Sequence, residues 1–303
     1  MLSDKEIVCP NNLLDVAHQK KGIPAGIVNA GKSITMMSVM DAVNENLIIP
    51  IFIGNKLDIE KCALELSFDI SEFKIIDEKN ENKTAVIAAE LASEDKIKII
   101  VKGHIHTDVL MKEIIKKKYN LIGKTRLSHI WHMTLDKEDK PLIITDGALN
   151  VSPNVKTKMH ILKNAINFCN RIGNKRPKVS VLSATEEVLD SVQSSIDAKE
   201  ITELAQKENL IADVFGPLAF DNSISKKSAE IKGIKNIVAG NADVLLVPSV
   251  ETGNALVKIM VYFMSACAAG VVVGGKVPVV ITSRSDVATA RLASIAAAVV
   301  ALD

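Results

Sequence analysis

Along this chain, short apolar runs rich in β-branched residues alternate with longer stretches in which apolar positions recur every three or four residues. The runs that read as strands are AGIVN from Ala25, LIIPIFIG from Leu47, FKIID from Phe73, IKIIVKG from Ile97 and PLIITD from Pro141. KVSVLS from Lys178, LIADVFG from Leu210, ADVLLVP from Ala242, AGVVVG from Ala269 and VPVVITS from Val277 continue the series. Helical spacing fills most of the gaps, as in KTAVIAAELASED and NVKTKMHILKNAINFCNRIG. Alternation of this kind, with several strands apolar on both faces, predicts an α/β protein whose parallel sheets are covered by helices on each side. The rhythm breaks at YNLIGKTRLSH (119–129), which marks a boundary, and SHIWHMTL and PLIITD then follow closely around the charged DKEDK, which predicts a hairpin. The uncharged run 259–275 is short for a membrane span, holds three glycines and is followed by Pro278, so it predicts the end of a buried helix and then a buried strand.

Bulk composition narrows the function classes. The 303 residues are 48% hydrophobic and 24% charged, the balance of a globular enzyme. Lys and Arg total 37 against 36 for Asp and Glu, which argues against nucleic acid or a membrane surface as partner. The basic KEIIKKK (112–118) reads as the solvated face of a helix. Four cysteines (Cys9, Cys62, Cys169, Cys267) lie far apart with no C-x-x-C pair, so neither a disulfide framework nor a zinc site is suggested and a reducing cytoplasm is expected. The charged N-terminus, MLSDKEIVCPNN, lacks the apolar core of a signal peptide.

One motif competes for attention. Gly26, Gly31, Lys32 and Ser33 satisfy the P-loop pattern G-x-x-x-x-G-K-[ST], in which backbone N–H groups wrap nucleotide phosphates. A working P-loop starts where its strand ends. Here VAHQKKGIPA, ahead of Gly26, is a poor buried strand, and the apolar Ile27 and Val28 fall inside the supposed loop. The better parse runs a strand through Gly26 to Asn29 and starts a helix near Ser33, leaving Gly31, Lys32 and Ser33 at a junction suited to an anion.

Other strand-to-helix junctions are rich in polar residues, and such junctions are where parallel sheets place ligands. They are IITDGALN with Asp146 and Asn150, VFGPLAFDNSIS with Gly216, Asp221 and Asn222, LLVPSVETGNALVK with Glu251, Gly253, Asn254 and Lys258, and VVITSRSD with Ser283, Arg284 and Asp286.

In the same order along the chain, GKTRLSHIWHM, PLIITDGALNVSPN, KVSVLSATE, GPLAFDNSIS, VAGNADVLLVPSVETGNALVK and GGKVPVVITSRSD resemble the phosphate acetyl/butyryltransferases, the butyryltransferase branch most of all. The resemblance runs from about residue 97 to the C-terminus. It implies two parallel-sheet, three-layer α/β domains of the isocitrate/isopropylmalate dehydrogenase type with a cleft between them. The first would comprise 1–126 and 276–303, and the second, through which subunits dimerise into a homodimer, 127–275. It also implies direct transfer of a short acyl group, acetyl to butyryl, between coenzyme A and inorganic phosphate. Coenzyme A then enters as substrate and no metal or tightly bound cofactor is expected. A non-catalytic relative that binds coenzyme A or acyl phosphate is the alternative, with a P-loop NTPase and a dehydrogenase of the same fold class more distant.

That chemistry requires an anion site, a donor for the oxyanion and a base for the thiol. Arg284 offers a planar fork of donors for phosphate, and Ser283 matches the serine beside the arginine of the family's motif. Asp286 has three readings: acceptor of the thiol proton, orienter of Arg284, or partner of a helix dipole. Relatives propose an acid further along this helix, where VATARLAS has none. By resemblance Gly253, Asn254 and Lys258 line the cleft and Asp146 and Asn150 frame it, although Asp146 also reads as a helix cap. Lys112 stands near the place where relatives carry an arginine, as a point charge for a phosphate of coenzyme A. His104, His106, His129 and His132 have spacings compatible with a metal but no third ligand, and read as ordinary polar histidines.

Overall fold

The computed structural model describes residues 2–136, 140–282 and 286–302. Its elements in chain order begin with α1 (Asn11–Ala17), β1 (Ile23–Val28), α2 (Ser33–Asn44), β2 (Ile48–Gly54), α3 (Lys56–Glu65), β3 (Lys74–Asp77), α4 (Glu81–Ser93), β4 (Ile99–Lys102) and α5 (Thr107–Ile114). There follow β5 (Ser128–Thr134), β6 (Leu142–Thr145), α6 (Val155–Arg171), β7 (Lys178–Leu182), α7 (Gln193–Lys207), β8 (Asp213–Leu218), α8 (Phe220–Ile224) and α9 (Lys226–Ile231). The chain continues with β9 (Val244–Leu246), α10 (Val250–Met264), β10 (Cys267–Val273), β11 (Val279–Val280) and α11 (Ala288–Ala301).

These elements gather into two units. One holds Glu6–Lys124, Leu135, Asp136 and the chain from Cys267 onward. Its strands lie in the order β3-β2-β1-β4-β11-β10, all parallel except β10. The strands β4 and β11 are buried along their whole length, as strands covered on both faces must be. The helix α11 is apolar over most of its surface, and the small residues Ala293, Ala296 and Ala297 are buried with Ile295 and Val299, alongside Arg291 and Ser294. Such a helix is stable only inside a core, and α11 lies against α1, α2 and β10. Its Ser294 hydroxyl donates to the Ala290 carbonyl at 2.8 Å and accepts from the Gly270 N–H at 2.9 Å, which ties the helix to β10.

The other unit holds Thr125–Thr134 and the chain from Lys140 to Ala266, with residues 2–5. Its strands run β5-β6-β9-β7-β8, with β5 and β6 antiparallel and the rest parallel. The expected hairpin is present: Trp131 faces Ile144 and Met133 faces Leu142. The strand expected at 210–216 is displaced to Asp213–Leu218, because Asn209 takes a φ of 52° and the Leu210 N–H bonds the Ala205 carbonyl, which closes α7. Pro217 is tolerated because β8 is the edge strand and no neighbour needs its missing N–H.

The apolar run from Ile259 also departs from expectation. It divides into the end of α10 and β10 as read, but the helix end is not buried: Ile259, Tyr262, Phe263 and Met264 are each 44–50% exposed. No helix among the described residues is long and apolar enough to cross a membrane.

Candidate active site

In the unit built on β5–β9, the carboxylate of Asp146 organises the loop after β6. Its Oδ1 accepts the N–H groups of Ala148 (3.0 Å) and Leu149 (2.9 Å), and its Oδ2 accepts the His129 N–H (3.0 Å) and Asn150 Nδ2 (2.7 Å). Four donors on a side chain that is 2% exposed leave it little capacity for a ligand, so Asp146 shapes the loop. Asn150 completes the clamp by donating to the Leu127 carbonyl at 3.0 Å.

The start of α10 is pressed onto this loop. A Cβ on Gly253 would lie 2.5 Å from the Cα of Gly147, and one on Gly147 would lie 2.8 Å from the Gly253 carbonyl carbon. Only two glycines permit such an approach. Asn254 and Lys258 follow one turn apart on the exposed face of the helix. The side chain of the cap residue Ser249 accepts no backbone N–H of the first turn, and its hydroxyl lies 3.4 Å from that of Thr252. Glu251 is exposed there, with its carboxyl held below the usual range by the N–H of its own residue and by Ser249.

The unit built on β1–β4 brings Gly31, Lys32 and Ser33 together at the carboxyl end of β1. The strand runs to Val28 through Gly26, and α2 starts at Ser33, so the loop is too short to be a P-loop and the NTPase reading falls. Gly31 is required for packing, since a Cβ there would stand 2.7 Å from the Cβ of Asp58. Lys32 and Ser33 are exposed. Next to β1, the end of β4 is held by Gly103, whose N–H bonds the Val28 carbonyl at 2.8 Å, and by the His104 N–H on the Asn29 carbonyl at 2.9 Å. Asp286 is half-buried, and its main-chain carbonyl accepts Arg291 Nε at 3.1 Å. Ser283 and Arg284 lie outside the described residues. Lys112 is exposed on α5.

The histidines differ from their sequence reading. His129 and His132 are each 1% exposed and their rings lie in apolar surroundings, His129 at 4.4 Å from the Trp131 ring and His132 at 6.4 Å from Phe168. Neither ring nitrogen of His129, nor Nδ1 of His132, has a protein partner. Burial pushes the pKa of both down to about 4, with the Asp146 charge opposing part of the shift at His129, so both are neutral. His106 is exposed and bonds Glu81 through its N–H (2.6 Å) and its Nδ1 (2.8 Å). No group of three or more His, Cys, Asp or Glu among the described residues is arranged to hold a metal.

Three buried cations escaped the sequence reading because strand and helix patterns disguised them: Lys102 at the end of β4, Lys158 in α6 and Arg291 in α11. Lys158 pairs with Asp197 at 2.8 Å on the wall of a cavity of about 700 Å3 between the first turns of α6 and α7.

Comparison with known proteins adds a second line of observation. A family model described as phosphate acetyl/butaryl transferase matches residues 78–299. The phosphate acetyltransferase of Rickettsia typhi is 37% identical over 285 residues, covering 93% of this chain and 82% of that protein. The phosphate butyryltransferase of Clostridium acetobutylicum is 32% identical over 290 residues, covering 95% of this chain and 96% of that one. A branched-chain phosphotransacylase from Enterococcus faecalis V583 superimposes with a TM-score of 0.80 at 31% identity, covering 91% of this chain and 97% of that structure's. Identity is higher to the acetyltransferase and coverage fuller for the butyryltransferase, so the likeness spans both branches.

Proposed function

The chain belongs to the phosphate acetyl/butyryl transferase family and is an acyltransferase working between coenzyme A and phosphate, and from that premise we propose a short acyl substrate, acetyl to butyryl, and direct transfer. A phosphate oxygen attacks the thioester carbonyl carbon, the carbonyl oxygen takes the negative charge, and collapse breaks the C–S bond. Acyl phosphate and coenzyme A leave, and the proton lost by phosphate balances the one gained by the thiolate.

In this reading Arg284 holds the phosphate oxygens and Ser283 donates to the oxyanion. Asp286 carries the proton, Lys112 meets a phosphate of coenzyme A, and Gly31, Lys32 and Ser33 offer an anion site at the first turn of α2. Asp146 and Asn150 build the loop on which Gly253 is seated. The observation that carries the reading is the Gly147–Gly253 contact, which presents Asn254 and Lys258 on the open face of α10 beside that loop. The enzyme works in a reducing cytoplasm, consistent with four free cysteines, three of them buried.

A homodimer formed through the outer face of α10 completes the proposal. Ile259, Tyr262, Phe263 and Met264 form an apolar patch there, and Leu2 extends it, because the Ser3 N–H bonds the Tyr262 carbonyl.

Release of free thiol from acetyl-CoA and butyryl-CoA, with and without phosphate, tests the activity. Phosphate-dependent release that collapses in Arg284→Ala is expected, and the two rates give the chain preference. Thiol release that ignores phosphate would reject the reading.

A further inference from the structure

We infer that His106, held by Glu81 at the start of α5, is the group that exchanges a proton with the thiol of coenzyme A. The inference rests on the acyltransferase reading and supplies its thiol base, leaving Asp286 to serve the phosphate oxygen.

The strand order β3-β2-β1-β4 sets the place. The chain steps outward from β1 to β2 through α2, and it returns from β3 past both to β4 through α4. Right-handed crossovers that run in opposite directions put their helices on opposite faces of the sheet. Accordingly, α2 packs with α3 and α11, whereas α4 packs with α5. The carboxyl ends of β1 and β4 therefore form a switch point, the crevice in which parallel sheets hold ligands. One wall is the start of α2, where Lys32 and Ser33 are exposed. The other is the start of α5, and His106 is its cap residue.

The main chain there is fixed. The N–H groups of Gly103 and His104 bond the carbonyls of Val28 and Asn29, and a Cβ on Gly103 would lie 2.4 Å from the Asn29 oxygen. After the buried Ile105 the chain surfaces at His106. Glu81 reaches it from the first turn of α4. Its Oε1 accepts both the His106 main-chain N–H, at 2.6 Å, and the ring Nδ1, at 2.8 Å. The main-chain bond alone would serve the helix end, and it holds the Glu81 carboxyl below the usual range. The second bond fixes the ring. A carboxylate only accepts, so Nδ1 carries the proton and Nε2 is the basic nitrogen, on a side chain 64% exposed. An imidazole held by a carboxylate through one nitrogen, with the other left for a substrate, is the arrangement of a general base. The charged and titratable groups around it are Glu81 from α4, His104 two residues earlier, Asp108 in the first turn of α5 and Lys32 across the crevice.

In the direction of acyl-CoA formation, the S–H bond breaks and its proton passes to Nε2. Sulfur bonds to the carbonyl carbon, and the C–O bond to the phosphoryl group breaks. The released phosphate takes up a proton through Asp286, while the imidazolium, paired with Glu81, returns its own to solvent. One proton is lost and one gained. The opposite direction reverses the steps, with the imidazolium protonating the departing thiolate.

Formation of acyl-CoA from acetyl phosphate or butyryl phosphate and coenzyme A, followed between about pH 6 and 9, tests the assignment. His106→Ala is expected to lower kcat about a hundredfold, with the KM for coenzyme A within about twofold of the parent and the Tm unmoved. Added imidazole should restore part of the lost rate. Glu81→Gln keeps an oxygen for the His106 N–H but removes the charge that favours the imidazolium. Its kcat should fall about tenfold, and the acid limb of its pH profile should move to lower pH. An unchanged kcat in His106→Ala, a loss that imidazole does not restore, or a Tm that falls in step with activity would overturn the assignment. So would a Glu81→Gln profile that superimposes on the parent's, which decides the matter if His106→Ala fails to fold. A parent that forms no acyl-CoA from either acyl phosphate would instead remove the acyltransferase reading on which this rests.

Discussion

Gly147 and Gly253 meet backbone to backbone, with the ideal Cβ of Gly253 only 2.5 Å from the Cα of Gly147. Gly253 lies inside α10, where alanine would ordinarily be preferred by about 1 kcal/mol. Here the neighbour is main chain and cannot yield, so the sign reverses. Gly253→Ala is expected to lower the unfolding free energy by about 1–3 kcal/mol, the usual cost of overpacking. Urea denaturation measures the loss. Because Asn254 and Lys258 ride on the same helix, the KM for acyl-CoA should rise in the same variant.

Asp146→Asn changes one atom and should still be damaging. The carboxylate accepts four bonds, and an amide would set an NH2 group against donors on one side. The expected loss is about 1–3 kcal/mol of stability. Activity should fall with it, while the pH optimum stays where it was if Asp146 builds the loop and moves no proton.

Acid stability should report the buried histidines. Their folded values, about 4, lie below the ordinary 6.5, so the unfolded chain takes up protons first as pH falls. The contribution is intact above pH 6.5 and is lost on the way down to pH 4, at up to about 1.4 kcal/mol per pH unit for each ring. Urea midpoints collected every half pH unit should show this slope. His132→Phe should remove roughly half of it.

Lys258→Ala is expected to raise the KM for acyl-CoA about tenfold, the loss of one bond to a charged group. The side chain is exposed, so the thermal midpoint should not move. A fall in midpoint without a change in KM would assign Lys258 to stability.

Phe263→Glu should break the proposed dimer without unfolding the chain, because Phe263 is 46% exposed. Sedimentation velocity of the variant should show monomers where the parent shows dimers. A parent that sediments as a monomer at micromolar concentration would leave the apolar face of α10 without that partner.

Much of the fold was legible because parallel strands advertise themselves as unbroken apolar runs. IIVK in β4 and VLL in β9 are buried at every position, and runs this short between turn signals have the length of strands rather than of helices. The P-loop pattern was rejected on the same grounds, since Gly26 had to belong to the strand. Less legible were features that depend on what lies opposite. Nothing in the letters says that Asp146 is saturated by four donors, that the ring nitrogens of His129 and Nδ1 of His132 lack a protein partner, or that the apolar end of α10 faces outward. Lys102 was invisible because a single lysine closing a strand looks like its solvated end. Burial is decided by the neighbouring strands, which sequence spacing does not identify.

The dispersed make-up of the β1–β4 unit has a consequence for biosynthesis. Strands β10 and β11 and helix α11 come from the last stretch of the described chain, yet β11 pairs with β4 and α11 packs on α1 and α2. On the ribosome, residues 140–266 are complete while the older 6–124 still lack two strands and the helix that covers them. The second-made unit is therefore the first able to close, and the exposed edge of β4 waits for material that emerges near the end. Any device that slows translation beyond Ala266 prolongs the interval in which that edge is open to a chaperone or to a wrong partner.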